Sequence, residues 1–338
     1  MPIPANDRVE VGVRTSIMKD YLELTKARLS ALVVLTTAAG FVLGHKGTLD
    51  LGRLAATLLG TSMVAGGANA FNQWMEINRD ARMVRTADRP LPSGRMKPPH
   101  AVMFASIITL TGIALLAVVA GVLTAGLALA ATFIYLLIYT PLKPLTPFNT
   151  LFGAVTGAIP PMMGWAAASG NLGFGAWLLG ALLFSWQIPH FMALAWLYRE
   201  DYERGGFRML PAMDRSGQLT CQVVVLFSIA MISVGIMFPV AGIAGWTYTV
   251  GSLLLGLGMF LFCVKLYNER SLTCARRLFV ASVIYLPLLL GLLIADHAWS
   301  GPVDSPSFQF ITEPNEPLIL PAIPVTTQMA SAPSQYAG

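Results

Sequence analysis

AVMFASIITLTGIALLAVVAGVLTAGLALAATFIYLLIYTP, residues 101–141, is a continuous apolar stretch without a single charged side chain. A helix that crosses a bilayer needs about 20 consecutive apolar residues. The stretch is therefore long enough for two crossings, and we place them at 101–120 and 123–141. Two adjacent membrane-spanning helices are the prediction for this part of the chain.

Seven further apolar runs of similar length lie on either side of this pair. The chain is 55% hydrophobic and only 12% charged, whereas an average soluble domain carries about 25% charged residues. One buried core cannot absorb that apolar excess, so most of it must face lipid. We predict an all-α, polytopic transmembrane bundle of nine spans, in which the other seven are 28–44, 53–73, 149–168, 174–197, 218–240, 243–267 and 277–296.

The basic residues predict how the bundle is oriented, because Lys and Arg accumulate in cytoplasmic loops. With the N-terminus in the cytoplasm, every basic residue except Lys46 and Arg53 falls in an inside segment. Membrane topology thus explains the net charge of +5, and no nucleic-acid partner is predicted. The short basic N-terminus lacks the Ser-rich, acid-poor length of a transit peptide, which favours a bacterial cell inner membrane over the mitochondrial inner membrane.

Three parts of the chain follow from this pattern: a cytoplasmic N-terminal segment at 1–27, an intramembrane domain at 28–296 and a tail at 297–338. The tail has no Lys or Arg and is rich in Pro, Ser and Thr, so we predict that it is disordered on the far side of the membrane. The longer polar inside loops, 74–100 and 198–217, follow spans two and six. This spacing suggests two tandem four-helix units plus a ninth helix.

Three oxygen-bearing side chains, Asn72, Glu76 and Asp80, end the second span at intervals of four residues. On a helix this spacing places them on one face, about 6 Å apart per step. Polar side chains near membrane depth are costly if they only serve packing. Mg²⁺ prefers oxygen ligands and is often bound by one or two carboxylates together with substrate phosphates. We therefore predict that this ladder binds Mg²⁺.

The loop after the ladder is rich in basic side chains. A guanidinium group can bind phosphate with two parallel hydrogen bonds. Carboxylates beside many arginines therefore suggest a binding site for Mg²⁺ and a diphosphate. The positive-inside rule also explains the number of arginines, but it does not explain the acidic ladder. We assign Arg85 and Arg89 to catalysis and the remaining basic residues of the loop to substrate binding, namely Arg79, Arg82, Arg95 and Lys97.

Span six and the loop after it carry a second polar group of residues. His190 lies inside the span together with Gln187, and an intramembrane ionisable residue is a functional hypothesis by default; a histidine hydrogen-bonded to a neighbouring helix is the alternative. Glu200 and Asp201 follow in the loop. They either hold a second Mg²⁺ or pair with the arginines of the first loop, and the residues alone do not separate these two interpretations.

Span four ends at the same predicted level of the membrane with Tyr139 and Lys143. Lys143 either contacts a phosphate, as we assign it, or simply obeys the positive-inside rule. Tyr139 and the span-six pair, Gln187 and His190, are assigned to substrate binding.

These motifs resemble those of the UbiA-type intramembrane prenyltransferases, and most closely the protohaem IX farnesyltransferase (haem O synthase) branch. The similarity runs from about Leu24 to Ala295. One departure is Glu76, which stands where many members of the superfamily have Asp. The motifs are Asn72-x3-Glu76-x3-Asp80-x2-Met83-x-Arg85-Thr86-x2-Arg89-Pro90-Leu91, Trp186-Gln187-Ile188-Pro189-His190-Phe191 and Asp201-Tyr202-x2-Gly205-Gly206-x2-Met209-Leu210-Pro211.

The resemblance implies an enzyme that transfers the farnesyl group of farnesyl diphosphate to a vinyl group of haem B, so that haem O and diphosphate are formed. It implies Mg²⁺ as cofactor, and farnesyl diphosphate, haem B and the lipid bilayer as partners. A haem-A-forming enzyme or a terminal oxidase assembly is a further candidate partner. His190 is a candidate either to orient the haem or to ligate its iron.

Two rival functions remain open at this stage. A prenyltransferase of the same superfamily could act on a quinone or chlorophyll precursor. A transporter could also use intramembrane polar residues, but here the acidic residues cluster at one membrane face, with no charged path to the other.

Overall fold

Nine long apolar helices form the computed structural model, which describes residues 17–300, with side chains described through residue 299. All nine predicted spans are confirmed as helices long and apolar enough to cross a membrane. Residues 1–16 and 301–338, which include most of the predicted disordered tail, lie outside the described residues. We number the long helices α1 (Ala27–Gly44), α2 (Leu51–Met75), α3 (Pro98–Ala120), α4 (Val122–Leu142), α5 (Asn149–Ser169), α6 (Phe174–Leu197), α7 (Gln218–Val240), α8 (Trp246–Glu269) and α9 (Leu272–Ser300).

The predicted helix ends differ from the observed ones mainly at α9. We placed its start at residue 277, but the helix begins at Leu272, because Arg276 and Arg277 end the apolar run without ending the backbone hydrogen bonds. Four short helices lie in the segments that were predicted to face the cytoplasm: Ile17–Leu24, Ile77–Asp80, Arg199–Arg204 and Leu210–Met213.

Small residues bring the backbones of α1 and α5 into contact. A Cβ atom on Gly40 would lie 1.9 Å from the carbonyl oxygen of Pro161, and one on Gly164 would lie 1.9 Å from that of Thr37. Glycine at these two positions therefore permits the close helix approach that stabilises bundles in lipid, where packing rather than the hydrophobic effect drives association.

The buried apolar side chains form two main cores. One lies among α1–α5 and includes Phe41, Leu116 and Ile159, whereas the larger one is centred on α6–α9. Helices α1 and α5 contribute residues to both cores, so the two cores do not test the predicted units of four helices. Large side chains such as Val118, which is 84% exposed, point outward, as a lipid-facing surface requires.

Candidate active site

A cavity of about 1070 Å³ lies between α1, α2, α4, α5 and α6, beneath the loops that follow α2 and α6. Its volume is at the upper end of the range for small-molecule sites, so it has room for large substrates. Apolar side chains such as Val33, Val64 and Met163 line its walls. At the loop end, charged side chains of both signs line it instead: Lys26, Glu76, Asp80, Arg85, Arg89, Arg95 and Lys143.

The acidic ladder keeps the predicted spacing although its helix is interrupted. Helix α2 ends at Met75, and a short helical turn, Ile77–Asp80, begins after Glu76. The backbone N–H of Glu76 still donates to the carbonyl of Asn72, at 3.0 Å, and that of Asp80 to the carbonyl of Glu76, at 2.8 Å. The three side chains therefore stay on one face, as the i, i+4 spacing predicts.

Each carboxylate of the ladder has a cationic partner of its own. Lys143 Nζ lies 2.8 Å from Glu76 Oε1 and 3.1 Å from Oε2, and Arg89 Nη1 lies 2.6 Å from Asp80 Oδ2. Burial alone would lower the pKa of Lys143, but the Glu76 carboxylate outweighs it and holds that pKa above its ordinary value. The site is therefore built from buried pairs of opposite charge that face a cavity.

Sequence reasoning missed Lys26, whose Nζ donates to Asn72 Oδ1 at 2.9 Å. Burial, followed by the positive charges of Arg89 and Lys143, lowers the pKa of Lys26 to about 7. Lys26 has a left-handed backbone, with φ 49°, at the break between the helix Ile17–Leu24 and α1. The sequence alone does not single out Lys26, because its position also fits the positive-inside rule. Its hydrogen bond to Asn72 is what identifies Lys26 as part of the site.

Asn72 itself does not line the cavity. Its side chain is fully buried, and its Nδ2 donates to Thr140 Oγ1 at 3.0 Å while its Oδ1 accepts from Lys26. In this arrangement the amide positions Lys26, which does line the cavity.

Aromatic rings surround the ammonium group of Lys143. Its Nζ lies 4.7 Å from the ring centroid of Tyr139 and 5.6 Å from that of Phe207. Tyr139 stacks on Tyr135, with ring centroids 5.5 Å apart; both rings line the cavity and belong to a π-helical turn, Ile134–Tyr139. Such turns often occur at functional sites, and ring faces attract positive charge.

Asp201 joins the two loops that cover the cavity. Its carboxylate accepts the backbone N–H groups of Val84 and Arg85, each at 3.2 Å. In the opposite direction, Arg79 Nη1 donates to the carbonyl oxygens of Gly205 and Gly206, at 3.0 and 3.1 Å. Asp201 thus contacts the first loop through backbone N–H groups and not through its guanidinium groups, and its ion pair is with Arg204 of its own short helix, at 3.3 Å.

Three predicted residues lie outside the cavity lining and are exposed: Arg82, Lys97 and Glu200. The Glu200 carboxylate is 3.7 Å from Arg204. Arg95 does line the cavity, but it forms ion pairs with Asp20 and Glu23, each at 2.9 Å.

Gln187 and His190 of α6 both line the cavity. Gln187 Nε2 donates to the carbonyl oxygens of Leu183 and Ala154, whereas His190 contacts α9 through Ser282. The predicted site residues that line one cavity are thus Glu76, Asp80, Arg85, Arg89, Arg95, Tyr139, Lys143, Gln187 and His190.

A sequence profile of the UbiA prenyltransferase family matches residues 33–283, a range that includes all of α2, α4, α5 and α6 and most of α1. The chain belongs to the UbiA prenyltransferase family. The resemblance inferred from the acidic ladder and the span-six motif is therefore confirmed.

Within the UbiA family, several similar proteins carry one name. The chain is 41% identical to the protoheme IX farnesyltransferase of Solibacter usitatus over 82% of this chain and 99% of that protein. It is 45% identical to the mitochondrial protoheme IX farnesyltransferase of Arabidopsis thaliana over 81% of this chain and 64% of that protein.

A solved structure of a UbiA homolog from Archaeoglobus fulgidus, bound to DMAPP and Mg²⁺, has the same fold. Its TM-score is 0.63 at 13% sequence identity, and the match covers 81% of this chain and 99% of that one. At this identity the likeness supports the all-α fold and says nothing of the acceptor substrate.

The side chains of this chain fit a Mg²⁺ ion that is completed by substrate. Within residues 17–300 no cluster of three or more His, Cys, Asp or Glu side chains forms a ready-made metal site. Two carboxylates, Glu76 and Asp80, nevertheless face one cavity, and Mg²⁺ commonly uses one or two carboxylates plus phosphate oxygens and water. The donor set therefore suits a metal that arrives with a diphosphate better than a permanently caged one.

Proposed function

We propose that this chain transfers the farnesyl group of farnesyl diphosphate to a vinyl group of haem B, which yields haem O and releases diphosphate. The observation that carries this proposal is the pair of buried ion pairs, Glu76–Lys143 and Asp80–Arg89, at the mouth of a large apolar cavity within a membrane bundle. The names of the similar proteins from Solibacter usitatus and Arabidopsis thaliana support the choice of donor and acceptor.

The paired charges suit the capture of a metal-chelated diphosphate. When the ester binds, Lys26, Arg89 and Lys143 can turn from their protein partners to phosphate oxygens, with charge-assisted hydrogen bonds. Glu76 and Asp80 are then free to hold Mg²⁺, which neutralises the leaving diphosphate when bound. We also assign Arg85 to the diphosphate, because it lines the cavity and lies over the Tyr198 ring at 5.0 Å.

Transfer then needs no nucleophilic side chain. The allylic C–O bond of the donor breaks, and its electron pair leaves with the diphosphate. The vinyl π electrons of the acceptor form the new C–C bond, water adds to the carbon left electron-poor, and that water releases one proton. The rings of Tyr135, Tyr139 and Phe207 line this space; they can stabilise positive charge, while the apolar walls keep premature water away.

Asp201 and Arg79 act, in this proposal, by holding the loops that close the site rather than by touching substrate. Their contacts to backbone groups across the two loops support that role. Glu200 is given no part in metal binding, because its side chain is 77% exposed outside the cavity.

We further propose that the protein is multi-pass in a bacterial inner membrane, with the cavity mouth and the N-terminus in the cytoplasm. Nearly all basic residues lie in the segments this orientation places inside. The relative from Arabidopsis thaliana is named as mitochondrial, whereas the relative from Solibacter usitatus is bacterial. Transfer of the haem product to a haem-A-forming enzyme or terminal oxidase assembly is the remaining proposed partnership.

Reconstituted protein in nanodiscs tests the reaction. With haem B, farnesyl diphosphate and Mg²⁺ we expect haem O by chromatography and mass spectrometry, with one diphosphate released per haem O formed. Chelation of Mg²⁺ should stop both. A quinone precursor offered in place of haem B serves as the control acceptor. Prenylation of that compound, with no haem O from haem B, would overturn the proposed acceptor.

A further inference from the structure

His190 lines the cavity and contacts two aromatic rings and a serine, yet the reaction steps above do not use it. Its ring stacks between Trp186, at 4.9 Å and 20°, and Phe279, at 5.0 Å and 28°. Its Nδ1 lies 2.8 Å from Ser282 Oγ of α9. The two flanking rings and this hydrogen bond fix both the plane of the imidazole and its rotation.

The hydrogen bonds around Ser282 decide which ring nitrogen carries the proton. Ser282 Oγ also lies 2.6 Å from the carbonyl oxygen of Phe279. A carbonyl only accepts, and a serine hydroxyl has one hydrogen, so that hydrogen goes to Phe279. The hydroxyl oxygen can then only accept from His190, which makes Nδ1 the protonated nitrogen and leaves Nε2 with a free lone pair.

The cavity wall near His190 in the sequence and on the facing helix is largely apolar. Leu194 and Phe191 of α6 and Gly157 and Pro160 of the facing helix α5 line the same cavity, and the ring of Phe191 lies 5.7 Å from that of His190. Those walls suit a porphyrin face, whereas the phosphate-binding cations lie at the loop end.

We propose that Nε2 of His190 is an axial ligand of the iron in the haem substrate, an inference that rests on the proposed function. A neutral imidazole whose other nitrogen donates a hydrogen bond is the common form of a metal-bound histidine, and histidine is a frequent axial ligand of haem iron. Coordination fixes the macrocycle against α6 and so sets where its vinyl groups lie relative to the allylic carbon, which is how positioning lowers a barrier. His190 is in this sense a binding residue for the acceptor.

The test compares the iron spectra of haem B-loaded protein in nanodiscs. In the ferrous state we expect an iron–histidine stretching band in resonance Raman spectra of the wild-type protein. His190→Gly should lack the band and bind haem at least about tenfold more weakly, and added imidazole should restore the band. His297→Ala is the matched control, because His297 bonds to the carbonyl of Ile243 and does not line the cavity; its spectrum should equal the wild type.

Ser282→Ala provides a second variant that keeps the ligand. Without the acceptor for Nδ1–H, the iron–histidine band should remain but shift to lower frequency, because the imidazole becomes less basic. If the wild-type protein forms haem O but His190→Gly keeps the band, His190 is not the iron ligand. The proposed function is unaffected by that result. Wild-type protein that forms no haem O would instead overturn the proposed function.

Discussion

At the scale of single residues, the site depends on charges that neutralise one another inside the bundle. Side chains of Glu76 and Lys143 are 6% and 13% exposed, and removing one partner of a buried pair leaves the other charge uncompensated. In the proposed function the same residues serve both stability and chemistry, so a single substitution cannot separate the two effects.

A double substitution separates the contribution of this ion pair to stability from its contribution to activity. Glu76→Gln should lower the free energy of unfolding by about 3 kcal/mol, because the Lys143 ammonium group loses its counter-ion, and it should abolish haem O formation. Glu76→Gln combined with Lys143→Met should regain most of that stability while staying inactive. Thermal unfolding in detergent and haem O chromatography measure the two effects. If Glu76→Gln keeps full activity, Glu76 is not a ligand of the proposed metal site.

The lowered pKa of Lys26 predicts how the affinity for farnesyl diphosphate depends on pH. With a pKa of about 7, its ammonium group is charged below that pH and loses its charge as the pH rises. We expect the affinity for farnesyl diphosphate to fall between about pH 7 and about pH 9.

Lys26→Arg is the matched variant, because a guanidinium stays charged over this range. Its donor affinity should stay flat above pH 7, whereas Lys26→Met should be weak at every pH. Equilibrium binding of a non-hydrolysable farnesyl diphosphate analogue gives both profiles. An unchanged pH profile in Lys26→Arg would show that another group titrates.

At the scale of elements, sequence patterns predicted helices and their local spacing but not the contacts between loops. Apolar runs located all nine long helices, and the i, i+4 rule placed Glu76 and Asp80 on one face. The pairing of Asp201 with the backbone at 84–85 joins residues more than 100 positions apart. No periodicity encodes such a contact, so the sequence left Asp201 open between a metal and the arginine loop.

The contact between Asp201 and the backbone of the first loop leads to a testable prediction. Asp201→Ala removes the acceptor of the backbone N–H groups of Val84 and Arg85, so these two amides should exchange hydrogen faster and the KM for farnesyl diphosphate should rise several-fold. The exposed Glu203 of the same short helix provides the control, and Glu203→Ala should change neither quantity. Hydrogen exchange by mass spectrometry reports the first effect. Wild-type exchange in Asp201→Ala, together with lost Mg²⁺ dependence, would instead favour a metal ligand at this position.

At the scale of the whole molecule, the fold brings two distant loops to one end of the bundle and leaves the apolar surface to lipid. Helices α2 and α6 both place polar residues at that end, as the sequence pattern suggested. The cavity nevertheless lies mostly among α1, α2, α4 and α5, and only one face of α6 lines it. The proposed orientation puts the mouth of this cavity in the cytoplasm, on the side where most Lys and Arg residues are predicted to lie.

Cysteine labelling tests this orientation in intact membranes. The native cysteines, Cys221, Cys263 and Cys274, are all buried, so they should react little with a membrane-impermeant maleimide in folded protein. Ser93→Cys lies on the exposed loop after α2, and Asn171→Cys on the exposed turn between α5 and α6. Because positively charged loops stay in the cytoplasm, Ser93→Cys should react only in inverted vesicles and Asn171→Cys only in right-side-out spheroplasts. The reverse pattern would place the loops proposed to bind diphosphate on the far side of the membrane, and the proposed orientation would be wrong.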